Sequence, residues 1–224
     1  MRHRFPEFCL PALAALLMGV PRPGAAQTWR VQAAAGIAYN LPVTLSVAQA
    51  GEPDIRTLAR FESRALEPPL HWVVRIERAA GGESWAAELM HHKLFLKDPP
   101  AGIQHFEISH GFNVLSLQRG WTRSGTTLRV GVGAIVGHPE NTVRDRTLDD
   151  DGAFGGYHIA GPIVQLAAGR NLELGHGLHL SGEIRAMGAR VHVPIEGGHA
   201  DFWHVSGHVL AGIGLSFGRQ RADR

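Results

Sequence analysis

The sequence predicts an all-β fold, an antiparallel up-and-down transmembrane β-barrel of eight strands. Three observations lead there. Segments of two-residue alternation recur along the chain, no apolar run beyond residue 26 is long enough for a membrane helix, and the face opposite the apolar one is polar and charged. A soluble lipocalin-like barrel turns its apolar side chains inward. Here the steadily apolar face alternates with Arg, Glu, His, Gly and Ser, which is the inverted arrangement of a membrane barrel.

The 224-residue chain opens on what reads as a signal peptide, residues 1–26. Arg2 and Arg4 precede an apolar run from Leu10 to Val20, and Gly24, Ala25 and Ala26 form a small-residue cleavage site. The barrel domain is then residues 27–224. The single cysteine, Cys9, lies in the leader, so the mature chain has no disulfide, zinc ribbon or thiol chemistry. The leader also removes Arg2, Arg4, Arg22 and Glu7 from the 22 basic and 20 acidic residues, which leaves a neutral mature chain. Neutrality argues against a nucleic-acid partner.

The first strand is carried by Val31, Ala33, Ala35, Ile37 and Tyr39. Leu70, Trp72, Val74 and Ile76 flank Arg75 and Glu77 in the next clear one, and Trp85, Ala87 and Leu89 open a third around Glu88. Phe106, Ile108, Phe112 and Val114 flank Glu107, Ser109 and Asn113 in a fourth. Leu128 to Val136, Pro162 to Ala168 and Leu178 to Ala186 supply three more. The last runs from Asp201 to Phe217, with Trp203 and Phe217 marking two aromatic girdles. Leu41–Pro69 is ambiguous: Val43, Leu45 and Val47 alternate weakly and Gly51-Glu52-Pro53-Asp54 reads as a turn, so an outer loop with its own hairpin and two further strands, for ten, both satisfy parity.

Loop lengths set the orientation, because outer-membrane barrels keep short turns on the periplasmic side. Ala80–Ser84, Arg119–Gly125 and Asn171–His176 are the short turns; Lys97–Gly102, His138–Gly156 and Pro194–Ala200 face outward. Pro99-Pro100 stiffens one of these, and Asp149-Asp150-Asp151-Gly152 reads as a solvated loop tip.

An eight-stranded barrel is only wide enough for side chains to fill it. Parity places Arg75, Glu77, Glu88, Glu107, Arg129, Glu183 and Arg185 inward, and a register pairing Trp85 with Arg78 sets Glu88 against Arg75 and His92 against His71. Buried charges persist when paired, so Arg75, Glu88, Arg129, Glu183 and Arg185 are expected to form a lumenal network. Of the 14 histidines all but His3 lie beyond the leader, and most fall in the outer half, where with Glu107 and Lys93 they could hold a divalent ion or lipid phosphate.

One series of short motifs resembles the lipid A oxidase family of outer-membrane proteins. It comprises Pro68-Pro69 with Arg75, Met90-His91-His92-Lys93, Phe106 to Asn113, Gly131-Val132-Gly133, His138-Pro139-Glu140, Gly161-Pro162 with Gln165, and Gly214 to Phe217. The resemblance implies oxygen-dependent oxidation of the proximal glucosamine of lipid A to an aminogluconate. The family's Thr-His-x-Lys looks matched by Met90-His91-His92-Lys93, without the threonine. Its Asp-Gly-x-Asn looks matched by His110-Gly111-Phe112-Asn113, where histidine replaces the acid, a change that implies either a re-tuned site or the loss of oxidase activity. No flavin or nicotinamide motif is present, and dioxygen reacts slowly with a closed-shell sugar, so a divalent transition metal is the expected cofactor. The expected ligands are His92, His105, Glu107 and His138. Glu107, His92 and Lys93 would carry the chemistry, and Lys93, Arg144 and Asn113 would hold substrate.

The resulting expectation is a monomeric protein of the bacterial outer membrane, folded by the barrel assembly machinery and acting on lipid A. The alternatives are a non-enzymatic structural barrel with a plugged polar lumen, and a surface receptor or adhesin.

Overall fold

The computed structural model describes residues 27–148 and 155–218. The leader and the Asp149–Gly152 run lie outside the described residues. The strands are β1 (Gln27–Asn40), β2 (Val43–Gln49), β3 (Ile55–Glu62), β4 (Trp72–Ala80), β5 (Glu83–Lys97) and β6 (Ile103–Arg123). They continue with β7 (Thr126–Gly137), β8 (Glu140–Val143), β9 (Arg146–Thr147), β10 (His158–Gly175), β11 (Leu178–Ile195) and β12 (Gly198–Gly218). Eight of them close a ring in the order β1-β4-β5-β6-β7-β10-β11-β12, with β12 returning to β1. These are the eight strands that the alternation predicts.

Leu41–Pro69 is the outer loop with its own hairpin. β1 follows β4 only as far as Ala35 opposite Trp72, and above that level β2 and β3 take their place in the wall. β2 pairs with β12 at Gly198–Phe202 and β3 pairs with β5 at Phe95–Lys97. β8 extends the wall in the same way beside the outer end of β6. The Pro194–Ala200 connection is no loop but a tight turn at Glu196-Gly197, with Gly197 at φ 70°.

Along β11 the barrel changes character. From the periplasmic end the inward side chains are His179, Ser181, Glu183 and Arg185, then Met187, Ala189, Val191, Val193 and Ile195. The outward ones run Leu180, Ile184 and Ala186, then Arg190 and His192. The inner section is therefore polar inside and apolar outside, whereas the outer section is the reverse. The crossover lies at Arg190, which sits opposite Trp203 with its guanidinium 5.8 Å from the ring. Trp29 and Phe217, both exposed and opposed in register, mark the other edge. An apolar belt bounded by aromatics around a charged interior identifies a transmembrane barrel of the outer-membrane type.

The same crossover corrects the reading of β6. Its apolar residues Phe106, Ile108, Phe112 and Val114 were expected on the lipid face; all four are buried inside, because the outer section has an apolar core. Leu115 and Leu117 face the lipid instead, and Glu107 leaves the lumen. β6 also bulges. His92 lies opposite Phe112 and Leu94 opposite Ile108, so Ser109, His110 and Gly111 together face the one residue Lys93. A bulge of this kind re-aims side chains, and here it throws His110 outward.

Candidate functional site

The lumen is filled in three layers. Nearest the periplasm is the charge network. Arg75 Nη2 lies 2.6 Å from Glu88 Oε2 and 2.8 Å from Glu183 Oε2. Arg185 Nη1 lies 2.6 Å from Glu88 Oε1, and its Nη2 lies 2.6 Å from Glu183 Oε1. Arg129 reaches Glu77 at 2.8 Å and Glu183 at 3.2 Å. Three guanidinium groups thus meet three carboxylates, and Gln165 donates to Ser116 and accepts from Arg185. Above them lie His71, His92, His204 and His208, all buried, and above these the rings of Phe61, Phe106, Phe112 and Phe202.

The four expected metal ligands are dispersed. His92 is wholly buried in the histidine layer, bonded to Asn40 Oδ1 at 3.0 Å. His105 is half exposed, 3.2 Å from Glu107, on the outside of the upper wall. His138 lies at the end of β7 with a buried Nδ1 that has no partner. Lys93 donates to the Glu67 carbonyl at 2.7 Å, and Arg144 is occupied by Gln49 Oε1 and the Pro53 carbonyl on the β2–β3 turn. The alternation that placed Glu107 beside His92 failed because the interior is apolar here: Phe106 and Ile108 fill the core, so Glu107 between them faces outward.

The motif segments do converge, through other side chains. His91, outward where His92 is inward, bonds through Nδ1 to Asn113 Oδ1 at 2.9 Å and stacks on Trp72. Across the bulge His110 Nδ1 makes a close hydrogen bond to Glu140 Oε1. The Tyr157 hydroxyl donates to the His110 carbonyl at 3.0 Å, and the His138 ring stands 5.0 Å from Tyr157 and 5.7 Å from His110. Gly111 joins the two halves: a Cβ there would meet the Asn113 amide and the Tyr157 ring, so a larger residue would displace them. His138 N–H donates to the Gly111 carbonyl and closes the bulge.

Solved outer-membrane barrels are similar to this chain. OprG from Pseudomonas aeruginosa is 13% identical, covers 87% of this chain and 98% of its own, and has a TM-score of 0.47. AlkL, solved in DMPC bilayers, is 14% identical over the whole of both chains with a TM-score of 0.44. The neisserial surface protein NspA is 9% identical over 85% of this chain and 97% of its own, with a TM-score of 0.38. No family model and no curated protein sequence matches the chain.

With Nδ1–H given to Glu140, His110 keeps its lone pair on an outward Nε2, the arrangement of an oriented general base. Ser109 Oγ approaches the same Nδ1 at 3.4 Å and not Nε2, so the group is not a serine-nucleophile triad. Just below the patch, the lipid-facing wall of β4 to β7 carries an apolar groove of about 730 Å³ lined by Val74, Ile76, Leu89, Leu115, Leu117 and Val132. Ala87, Gly133 and Ala134 keep it hollow. Polar groups at the membrane interface thus stand over an acyl-chain-sized depression. His110 and Glu140 were present in the motif series, and only the unforeseen bulge hid their meeting.

Proposed function

We propose that this barrel acts on lipid A at the outward His110–Glu140 patch, and not through its lumen. One observation carries the reading: three segments separated in sequence, at residues 90–93, 110–113 and 138–140, meet on the outside wall directly above an apolar groove. An acyl chain in the groove would set a sugar headgroup against His110, Asn113 and Tyr157. His110 stands where the resembling family has an acid, and Glu140 returns a carboxylate to that place. The proposed chemistry is oxidation of the proximal sugar at its free anomeric carbon by dioxygen: the C1–H electron pair and two protons pass to dioxygen, which leaves as hydrogen peroxide, and water opens the resulting lactone to the aminogluconate. His110 Nε2 would take the proton of the anomeric hydroxyl, while Asn113 and Tyr157 fix the ring. An oxygen-dependent step calls for a redox metal. His92, His105, Glu107 and His138 do not converge on one, and the patch does not bring three ligand atoms together among the described residues, so no step is drawn through a metal. The protein is proposed to work as a monomer, placed in the membrane by the barrel assembly machinery.

A second reading is a structural barrel without catalysis, favoured by a lumen whose buried charges are already paired. Mass spectrometry of lipid A separates the two. Cells expressing the protein should gain one oxygen on the proximal sugar, and Glu140→Gln should abolish the gain while leaving the barrel folded. Unmodified lipid A in wild-type cells would leave the structural reading.

A further inference from the structure

We propose that His71, His92 and His208 form a transition-metal site sealed inside the barrel, distinct from the outer patch and independent of the lipid A reading. A ring nitrogen from each lies within 4.8 Å of those of the other two, and all three residues are buried. The rings of His71 and His208 are each 5.2–5.3 Å from one another and from His92.

The surrounding hydrogen bonds turn one ring nitrogen of each histidine toward the others. His71 Nδ1 donates to the His91 carbonyl at 2.9 Å, so its Nε2 is bare and points to His208 Nδ1 at 3.2 Å. Asn40 uses its amide nitrogen on the Phe61 carbonyl, so its Oδ1 accepts from His92 Nε2. His92 Nδ1 is consequently a bare acceptor, wholly buried and without a partner. Such a nitrogen costs free energy unless something binds it. Ser206 holds the outer nitrogen of His208 at 2.8 Å. Each ring is therefore fixed through one nitrogen while the other is left for a ligand, which is how metal-binding histidines are commonly oriented.

Neutral imidazoles suit zinc, copper, nickel or cobalt, and exclude magnesium and calcium, which prefer oxygen. The charged groups facing the layer from below are Arg185 and Glu88. Arg185 is committed to Glu88 and Glu183, so its charge is compensated before the ion arrives. In the metal-free protein the proton between His71 and His208 satisfies that pair, and the ion would displace it. The apolar rings above and the salt bridges below bar later entry, so loading accompanies folding.

A second group, His192, His199 and Asp201, lies exposed on the outer rim, and the test must tell the two apart. Barrel without a polyhistidine tag is folded in detergent with cobalt(II) or zinc(II), washed with chelator, and its metal counted. The expected result is one ion per chain with the visible bands of four-coordinate cobalt, reduced more than about tenfold in His92→Gln and in His208→Asn and unchanged in His199→Asn. Loss of the ion in His199→Asn with retention in His92→Gln, or no retained metal in the wild type, would overturn the proposal. Should the lumenal variants not fold, X-ray absorption on zinc-loaded wild type decides. Three imidazole nitrogens at about 2.0–2.1 Å support the site, and a shell containing carboxylate oxygen refutes it.

Discussion

Replacing Glu88 by Gln removes one charge from the centre of the lumenal network while keeping its volume. The carboxylate is fully buried and receives Arg75 at 2.6 Å and Arg185 at 2.6 and 2.8 Å. In the variant the amide nitrogen must face one of the guanidinium groups, and three buried arginines are left with two glutamates. Breaking a buried pair on one side costs about 3–5 kcal/mol; because Arg75 and Arg185 both retain Glu183, the loss should fall near the lower end, about 3 kcal/mol. Arg75→Gln alone should cost a similar amount. The double variant restores charge balance, so its loss should be smaller than the sum by roughly 1–3 kcal/mol. Urea unfolding in lipid vesicles, followed by tryptophan fluorescence and by the heat-modifiable gel band, measures all three. Additivity within about 0.5 kcal/mol would refute the claim that these two side chains share one network.

The lipid face should resist charge: Val132→Arg, in the groove wall, is expected to cost roughly 2–4 kcal/mol in the same assay, and a neutral result would place this wall outside the bilayer. Phe202 stacks 5.0 Å from Phe61 and is buried, so Phe202→Ala should cost about 3–5 kcal/mol, yet planar-bilayer recordings should show no new conductance because the salt bridges below still close the lumen. Glu107→Gln removes a contact with half-exposed His105 on the outside of the wall and should change stability by less than about 1 kcal/mol; a large loss would show Glu107 to belong to the lumenal network. Gly111→Val should disturb Asn113 and Tyr157, and retained lipid A modification in that variant would detach the bulge from the activity.

Alternation was sufficient for the ring because each strand's membrane section has one steadily apolar face. Arg75, Glu88, Arg129, Glu183 and Arg185 all fall on the predicted inward parity, and the Arg75–Glu88 register follows from the short turn at Gly81-Gly82. The same rule failed on β6. There the interior turns apolar above the membrane, so Phe106 and Ile108 look lipid-facing although they fill the core. A bulge then sets Ser109, His110 and Gly111 against the one residue Lys93. Parity is the same on either side of it, but His110 within it is re-aimed outward, and alternation carries no signal for inserted residues. The histidine layer is also legible in the sequence. His204, Ser206 and His208 share the inward parity of β12, and extending the Arg75–Glu88 register by two pairs sets His71 beside His92.

The central claim is that the bulge on β6 lifts His110 out of the wall where acyl chains give way to headgroups. Nitroxide labels placed singly at 117, 115, 113 and 110 in a liposome-embedded barrel test it by their collision with dissolved oxygen and with a water-soluble nickel chelate. The account predicts that 117 and 115 see oxygen and no chelate, that 113 lies at the crossover, and that 110 sees the chelate while still broadened by a headgroup-labelled lipid. Chelate access at 115, or a label at 110 without lipid contact, would contradict it.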